Sequence, residues 1–359
     1  MIDSPIHCTI DLEAPGRQVG HLEIPRSSNT AGWASTFVPI ACVANGEGPT
    51  VLVLGGNHGD EYEGQVAALR LVRDLRPDQV SGRVIVIPVL SPTASKAGTR
   101  LWPSGANFNR SFPGSPDGPA NEQLADFLTR VLFPRADVVI DMHSGGRTAL
   151  FLPCSHMHVL DDPAQRRAML EGMLAWNSDW HYLYIDVAGS GLLPVEAESQ
   201  GKVVITTELG GGGHVTAAVH RLAQNGLANV LRHVGVLEGE AVSRAQLGLP
   251  DAVILDGRDP RNYVFAPESG LFETLVDPGD PVAAGQPVGA IHFVERPERP
   301  PEIVEAPLDG VVACIRAIST TEQGDNVIVL GQPIDRAALA SVDAAMSSFV
   351  YGGLQTEQA

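Results

Sequence analysis

The chain has 359 residues, of which 44% are hydrophobic, and a formal net charge of −18. This length favours one large domain and one smaller domain, because a single hydrophobic core rarely serves so many residues. The negative charge argues against nucleic acid as a partner, since binding phosphate groups requires a basic surface. No apolar run approaches the ~20 residues that a bilayer span requires, so we expect no membrane partner either.

The N-terminus and the cysteines bear on the compartment. Residues 1–5 have neither a basic stretch nor a long apolar stretch, so a cleaved export signal is not predicted. The cysteines, at positions 8, 42, 154 and 314, are widely spaced and form no C-x-x-C pair. This spacing argues against a zinc ribbon and against a disulfide framework. We therefore expect a cytoplasmic protein whose thiols are reduced and lie in its core.

Hydrophobic patterning predicts the fold class. The first 48 residues alternate short β-like runs with turns and end in Asn-Gly-Glu-Gly-Pro. Apolar runs then alternate with helical patterns. The apolar runs are at 50–54, 84–90, 137–142 and 203–208, and the helical patterns are at 61–75, from about 119, and at 216–234. Apolar, β-branched runs between helices are typical of strands buried on both faces. We predict an α/β fold with a mixed, mainly parallel central sheet flanked by helices, and a site at the strand C-terminal ends.

Beyond about residue 248 the helical periodicity stops, and short apolar runs are separated by Gly, Pro and Asp. We predict three parts, a β-rich segment 1–48 packed on the catalytic domain, a catalytic domain 49–250, and a small barrel-like all-β domain 251–359. Segments of the last part resemble the half-motifs of lipoyl and biotinyl carrier domains. The only lysines, Lys96 and Lys202, lie outside it, so it cannot carry either group. We predict a lid or an assembly surface, which can mediate homo-oligomerisation.

The first candidate site follows the strand predicted at 50–54. His58 and Glu61 have the spacing H-x-x-E, which lets an imidazole on a loop and a carboxylate on the first helical turn converge. His143 ends another predicted strand and should reach the same edge of the sheet. Two histidines and one carboxylate leave a fourth position for water, the ligand pattern of hydrolytic zinc sites. For the first motif alone, an ordinary loop histidine and a helix-N-terminal acid are the alternative.

Three further acids accompany these residues. Asp60 and Asp141 are near enough in sequence to accept hydrogen bonds from the histidine N–H groups, although either could instead cap a turn. Glu208 ends an apolar run, where an acid is costly to desolvate unless it has a task or a partner. Beside a metal it could take a proton from water and pass it to a leaving amine. A paired acid at a strand end is the alternative.

The glycines at 210–213 suggest close backbone approach rather than a phosphate-binding loop, since no Gly-Lys-Ser/Thr follows them.

Residues 105–114 (Gly-Ala-Asn-Phe-Asn-Arg-Ser-Phe-Pro-Gly) offer groups for binding a substrate. Asn109 and Arg110 place an amide beside a planar guanidinium, a pair suited to binding a carboxylate. Arg100, shortly before them, could polarise a carbonyl group and stabilise its oxyanion. The alternative is that an arginine in such a Gly/Pro-rich loop is a solvated surface group.

His156 and His158 form another histidine pair, which a β-strand would place on one face. No carboxylate accompanies them at a spacing suited to a metal site. We therefore interpret them as residues of a cavity wall or of the surface.

Together these segments resemble the succinylglutamate desuccinylase/aspartoacylase family, a branch of the zinc carboxypeptidase superfamily. The resemblance covers roughly residues 51–234 and depends on the motifs His58-x-x-Glu61, Asn109-Arg110-Ser-Phe-Pro-Gly, Asp-Met-His143-Ser and Glu208-Leu-Gly. It implies a zinc carboxypeptidase-like fold and hydrolysis of the linear amide of an N-acyl amino acid. It implies one Zn²⁺ per subunit and assigns metal binding to His58, Glu61 and His143, carboxylate binding to Asn109 and Arg110, acid/base catalysis to Glu208, and carbonyl polarisation to Arg100.

Residues 194–202 differ from those family members that act on acidic amino acids, which have an arginine shortly before the strand of the catalytic glutamate. This chain has Glu196 and Glu198 there and no arginine. We hypothesise that Glu198 meets an ammonium group on the substrate side chain, which disfavours acetylaspartate; a solvated loop is the alternative. With Ala-Gly-Ser-Gly at 188–191, the pattern is most similar to the Nα-acetyl-L-2,4-diaminobutyrate deacetylases of ectoine degradation.

The predicted activity is therefore deacetylation of Nα-acetyl-L-2,4-diaminobutyrate to diaminobutyrate and acetate, with a small N-acyl amino acid as the partner. The alternative within the family is a deacylase that acts on succinylglutamate or acetylaspartate. A non-catalytic protein that binds a metal or a ligand is the remote alternative. It predicts a missing metal ligand or a missing base, whereas every expected position is filled.

Overall fold

The computed structural model of the protein describes residues 4–185 and 190–335. Its α-helices are α1 (Tyr62–Asp74), α2 (Pro92–Ala97), α3 (Ala120–Phe127), α4 (Pro163–Ala175), α5 (Leu193–Ser199) and α6 (Ala217–His233). Its strands are β1 (His7–Cys8), β2 (Gly16–Ser28), β3 (Ala31–Asn45), β4 (Thr50–Gly55), β5 (Gly82–Ile87), β6 (Val138–His143), β7 (Ala149–Phe151), β8 (Cys154–Met157), β9 (Trp180–Leu183), β10 (Val203–Glu208), β11 (Val253–Asp256), β12 (Tyr263–Phe265), β13 (Gly270–Thr274), β14 (Pro281–Val282), β15 (Pro287–His292), β16 (Glu302–Glu305), β17 (Gly310–Arg316), β18 (Thr320–Thr321) and β19 (Asn326–Ile334).

A large mixed sheet runs through the molecule in the order β1-β2-β3-β5-β4-β6-β10-β8-β9-β11-β19-β17-β14. The neighbours β5, β4, β6 and β10 are parallel, and so are β8, β9 and β11. The remaining pairs along this order are antiparallel. The predicted mixed α/β fold is confirmed. The description "mainly parallel" is correct for the strands around β4 and wrong for the sheet as a whole.

Strand β4 shows why the central strands are apolar at every position. All six of its residues are buried. Val51 and Val53 join a hydrophobic cluster that contains residues of α1 and α6, whereas Leu52 and Leu54 join the cluster on the other face, which contains residues of α3. Because successive side chains of a strand point to opposite faces, a strand covered on both faces has no position left for a polar residue.

The N-terminal segment differs from the short runs that we predicted. Strands β2 and β3 have 13 and 15 residues and form one continuous antiparallel hairpin. The polar residues of this segment belong to an exposed face rather than to turns. Leu22, Ile24 and Val38 on its other face are fully buried, and β3 joins the hairpin to the central sheet through β5.

The C-terminal region contributes to two sheets. Strands β16, β15, β13 and β18 form a separate four-stranded sheet. Strand β11 instead pairs with β9 on one side and with β19 on the other, so that the large sheet continues across residue 251. The division into 1–48, 49–250 and 251–359 stays a prediction, and residues 1–3, 186–189 and 336–359, including Ala188 and Gly189 of the 188–191 motif, lie outside the described residues.

Two expectations about bulk properties can be compared with the structure. Among the helices of the described residues, none has both the length and the apolarity that crossing a bilayer requires. The four cysteines are free thiols; three are buried and Cys8 is half-buried. Burial raises the pKa of Cys42 to about 11, so its thiol is uncharged and unreactive at neutral pH.

Candidate active site

The candidate site lies at the C-terminal ends of three neighbouring parallel strands. The loop after β4 carries His58 and Glu61, β6 ends at His143, and β10 ends at Glu208. The register between β10 and β6 places Glu208 directly beside His143. Since the carboxyl ends of parallel strands meet at one edge of a sheet, groups far apart in sequence converge there.

Glu61 lies between the two histidines. Its Oε1 is 2.7 Å from Nδ1 of His58, and its Oε2 is 2.8 Å from Nδ1 of His143. All three side chains are buried, with exposures of 2%, 2% and 6%. One donor atom from each lies within 4.8 Å of the others, and among the described residues this is the group of three or more His, Cys, Asp or Glu side chains that can hold a metal ion.

The hydrogen-bond partners of the two Nε2 atoms bear on the tautomers of His58 and His143. Nε2 of His58 is 3.1 Å from Oδ1 of Asn107, and Nε2 of His143 is 2.9 Å from Oδ2 of Asp141. Both partners are oxygen acceptors that an Nε2–H group can donate to, and in that tautomer a neutral imidazole turns its Nδ1 lone pair toward Glu61. With both imidazoles neutral, three acceptors so close together repel one another, so either a proton or a metal ion must lie among them. The donor set therefore fits a metal ion.

These contacts test the predicted supporting acids. The acceptor role of Asp141 is confirmed. The same role for Asp60 is wrong, because its Oδ2 accepts a hydrogen bond from the backbone N–H of Arg147 at 3.0 Å. Asn107, which the sequence analysis missed, supports His58 instead. Its Oδ1 also accepts from the backbone N–H of Asn109, as the N-cap of a single 3-10 turn, and this capping pattern was the available clue.

The charges of the cluster depend on its mutual contacts. Burial opposes ionisation of Glu61, but the adjacent His58 and His143 hold the pKa of its carboxyl well below the usual range. Burial lowers the pKa of His58, so this imidazole is neutral at neutral pH. Burial also disfavours the charged form of His143, but Asp141 and Glu61 outweigh it and hold its pKa well above the ordinary value. Without a metal, the site is thus an ionised carboxylate between a neutral His58 and a protonated His143, and a metal ion would take the place of the proton on Nδ1 of His143.

The pKa of Glu208 is shifted in the opposite direction to that of Glu61. Burial and the charge of Glu61 raise the pKa of Glu208 to about 8. Its side chain is half-buried at the cavity wall, while its Oε2 atom is enclosed and has no hydrogen-bond partner. A carboxyl group whose pKa lies near neutral pH can both accept and donate a proton, which is what acid/base catalysis requires.

A cavity of about 280 Å³ opens beside this cluster. Arg100, Asn109 and Arg110 line it together with the metal-binding cluster and Glu208. Arg100 donates from Nη1 to Oε1 of Glu61 at 3.0 Å. Oδ1 of Asn109 accepts from the backbone N–H of Leu193 at 2.8 Å, which leaves the amide NH₂ as the end that can donate. The structure therefore brings together seven of the eight predicted site residues.

Glu198 is the eighth predicted residue, and it lies apart from this cavity. It is buried on α5, and its two carboxylate oxygens are 3.0 and 2.8 Å from Nδ1 of His158. The sequence has no carboxylate near His156 and His158 at a spacing suited to a metal site, and the acid that contacts His158 comes from a helix 40 residues further along the chain. The role of Glu198 in substrate binding stays a prediction.

The glycine run after Glu208 packs closely against the backbone of residues 145–151. A Cβ atom on Gly211 would lie 2.2 Å from the carbonyl oxygen of Ala149. Gly210 accepts hydrogen bonds from the backbone N–H groups of Gly145 and Phe151. The predicted close backbone approach is confirmed, and it anchors the end of β10 against the loop that follows His143.

Comparison with known proteins agrees with this geometry. The model of the succinylglutamate desuccinylase/aspartoacylase catalytic domain matches residues 47–234. The chain belongs to this family. A family relative, the N-alpha-acetyl-L-2,4-diaminobutyric acid deacetylase of Halomonas elongata, is 41% identical over 335 residues, which cover 92% of this chain and 96% of that protein.

Two solved structures have nearly the same fold as this chain. The product-bound ectoine utilization protein EutE (DoeB) of Ruegeria pomeroyi superposes with a TM-score of 0.88 at 38% identity, over 92% of this chain and 100% of that chain. A succinylglutamate desuccinylase of Silicibacter sp. TM1040 gives 0.87 at 38% identity, over 93% and 100%. All three relatives are matched over nearly their whole lengths.

Proposed function

We propose that this protein is a zinc-dependent amidohydrolase that removes the acetyl group of Nα-acetyl-L-2,4-diaminobutyrate. The single observation that carries the reaction class is the meeting of the His58, Glu61 and His143 donor atoms with Glu208 at one edge of the sheet. The substrate is supported by the 41% identity to the Halomonas deacetylase over most of both chains. This substrate places the chain in ectoine degradation.

His58, Glu61 and His143 would hold the zinc ion, because two imidazole nitrogens and a carboxylate are a usual set of catalytic zinc ligands. When bound there, zinc supplies Lewis-acid polarisation of the scissile carbonyl and of the attacking water. Asn107 and Asp141 hold the two imidazoles in the orientation that the metal requires. Backbone donation from Ser144 to Oε2 of Glu61, at 3.3 Å, helps to keep the carboxylate in place.

The other residues of the cavity have separate roles in substrate binding and catalysis. Arg110 and the NH₂ group of Asn109 bind the α-carboxylate, since a guanidinium and an amide both donate to its oxygens. Arg100 donates to the amide oxygen and stabilises the negative charge that develops there. Glu208 takes a proton from the attacking water and delivers it to the leaving amine nitrogen. Burial raises the pKa of this carboxyl above its ordinary range, and a zinc ion beside it would favour the ionised form that takes the proton.

Three further properties remain predictions from the sequence. They are location in the cytoplasm, self-association through the C-terminal β-region, and the role of that region as a lid or an assembly surface. The predicted direct contact between Glu198 and a substrate ammonium group also remains a prediction. In the structure, its carboxylate contacts Nδ1 of His158.

The test is acetate release by zinc-loaded protein from Nα-acetyl-L-2,4-diaminobutyrate, compared with its Nγ-acetyl isomer, acetylaspartate and succinylglutamate. We expect kcat/KM to be highest for the Nα-acetyl isomer. We expect Glu208→Ala to lower kcat by at least about 100-fold while the zinc content stays near one per chain. Glu171→Ala, an exposed glutamate on α4, is the control.

Each outcome bears on a different part of the proposal. Activity only on acetylaspartate or succinylglutamate would keep the mechanism and reject the substrate. Full activity of the Glu208→Ala protein would reject the assigned base. Zinc content that is unchanged after His58→Ala and His143→Ala would reject the metal site.

A further inference from the structure

A second histidine lies in the wall of the site cavity and takes no part in the mechanism above. His156 is on β8, directly opposite Thr206 of β10 in the antiparallel pair. It lines the same cavity as His143 and Glu208, and only 7% of it is exposed. Its ring packs edge-on against the ring of Tyr184, with a centroid separation of 4.5 Å, and Tyr184 lines the cavity too.

The hydrogen bonds of Thr206 fix the tautomer of this histidine. The Thr206 hydroxyl donates its single proton to the backbone carbonyl oxygen of His156, at 2.7 Å. The same hydroxyl oxygen is 2.9 Å from Nδ1 of the His156 ring. Because the hydroxyl proton is already used, Nδ1 must be the donor in the second contact. In a neutral imidazole, Nε2 then carries a lone pair and is an acceptor.

That acceptor has no partner within the protein. Nε2 of His156 is buried and makes no hydrogen bond. Burial, with a smaller effect from nearby His143, lowers the pKa of His156 to about 3, so the ring does not gain a second proton at neutral pH. A buried acceptor without a donor is costly, so an unpartnered acceptor on a residue of the cavity wall calls for an explanation, and a ligand that donates to it supplies one.

The chemistry of this acceptor selects one part of the substrate. A lone pair cannot bind the substrate carboxylate, for which Arg110 and Asn109 provide donors, nor the amide oxygen, to which Arg100 donates. The substrate has two donors, the amide N–H and the side-chain amine. The amide nitrogen belongs beside Glu208, which protonates it, so the side-chain amine is the donor that remains. The face of an aromatic ring such as Tyr184 also favours a cation nearby. The carboxylate of Glu198 lies behind this wall, bound to His158, whose ring is 4.0 Å from that of Tyr184.

We propose that Nε2 of His156 accepts a hydrogen bond from the side-chain ammonium of the N-acyl diamino acid, and so makes His156 a specificity-determining residue. This inference rests on the proposed function and names the residue that recognises the second amine. It also predicts selection against acidic substrates, because a side-chain carboxylate would place an acceptor against an acceptor. Thr206 is the positioning residue that holds the required tautomer.

The test compares His156→Phe with the unaltered protein on two substrates that differ only in the side-chain amine, Nα-acetyl-2,4-diaminobutyrate and Nα-acetyl-2-aminobutyrate. We expect kcat/KM for the diamino substrate to fall by about 10- to 100-fold, as for loss of a hydrogen bond to a charged group. For the aminobutyrate substrate we expect a change of less than about 3-fold. An equal fall on both substrates, or no fall, overturns the proposal.

His181→Phe is the matched control. His181 is likewise buried on a neighbouring strand, β9, and its Nδ1 contacts the Ser155 hydroxyl at 2.8 Å, but it is not among the residues lining this cavity. The control should leave the ratio of the two kcat/KM values unchanged. A ratio that changes equally in both variants would mean that the effect is structural and would overturn the proposal.

Two measurements do not depend on turnover. Calorimetry on the zinc-loaded protein should show 2,4-diaminobutyrate binding more tightly than 2-aminobutyrate, with the difference lost in His156→Phe. If the protein hydrolyses neither substrate, the proposed function fails while this comparison still decides the role of His156. In the unaltered protein, ¹⁵N NMR of labelled histidine should show His156 protonated at Nδ1 only. A proton on Nε2 would overturn the proposal even if the variant did not fold.

Discussion

At Glu208 the surroundings oppose the charge of the side chain. Burial and the neighbouring Glu61 raise its pKa to about 8, compared with an ordinary value of 4.5. A group that binds its proton more tightly in the folded chain than in the unfolded chain stabilises the fold at low pH. That stability is lost as the pH rises from the unfolded pKa to the folded one. Metal-free protein should therefore lose stability between about pH 5 and pH 8 because of Glu208.

Substitution of Glu208 by Gln tests this pH dependence. Gln cannot ionise, so we expect the variant to keep the stability that the metal-free protein loses. The difference in the free energy of unfolding should grow by about 1 to 3 kcal/mol from pH 5 to pH 8 and then level off. Urea denaturation of chelated protein at each pH measures it.

The control for this experiment is Glu171→Gln, a change at an exposed position on α4. It should give a difference that does not vary with pH across this range. A Glu208→Gln difference that was equally flat would show that the carboxyl is already ionised in the metal-free fold. Zinc is excluded from the experiment because a cation beside the carboxylate favours its ionised form.

At the scale of the elements, the site depends on where β10 ends. Gly211 follows this strand with a φ of +135°, and a Cβ atom there would be 2.2 Å from the carbonyl oxygen of Ala149 and 2.9 Å from Cα of Gly145. Both of these neighbours are backbone and cannot rotate away. An added methyl group must therefore displace the end of β10, which carries Glu208, or the loop after β6, which begins directly after His143.

We predict that Gly211→Ala lowers the free energy of unfolding by about 2 to 4 kcal/mol and lowers kcat by about 10-fold or more. Gly201→Ala, just before β10, is the matched control. Its φ is +74° and nothing lies within 4 Å of the added atom, so it carries the backbone strain without the clash, at a cost of about 1 kcal/mol. Equal effects of the two substitutions in denaturation and activity assays would contradict the clash as the cause.

At the scale of the whole molecule, the C-terminal β-region shares a hydrophobic cluster with the part that carries the site. Leu255 is 1% exposed. Its hydrophobic cluster contains Leu152 and Tyr182, which precede residue 251, and Val311 and Val329, which follow it. The Tyr182 hydroxyl also donates to the carbonyl oxygen of Leu330 at 3.0 Å. Strands on both sides of residue 251 are thus held by the same sheet and the same core.

Leu255→Ala should therefore destabilise both parts together. We expect a loss of about 2 to 5 kcal/mol, the usual cost of a buried leucine, in a single transition seen alike by tryptophan fluorescence and circular dichroism. Leu249→Ala is the control, because that side chain is 43% exposed and its truncation should cost less than about 0.5 kcal/mol. Two transitions, of which only one shifts, would support an independent domain from residue 251.

The sequence by itself predicted the groups whose positions follow from local pattern. His58, Glu61, His143 and Glu208 lie at or just beyond the ends of apolar runs, and the chain direction places those ends at one edge of the sheet. The end of β10 at Glu208 and the start of α1 next to Glu61 agree with the periodicity of the residues around them. Alternation and helical spacing are local properties, so they can be inferred without knowing which elements pair.

Only the tertiary structure decided which side chains meet across long separations. Asn107 rather than Asp60 supports the first imidazole, Glu198 faces His158 instead of the cavity, and Nε2 of His156 is left as an acceptor in the cavity wall. The continuity of the sheet across residue 251 is of the same kind. These contacts depend on strand register and on helix packing, which follow from the burial of the whole chain rather than from any one segment.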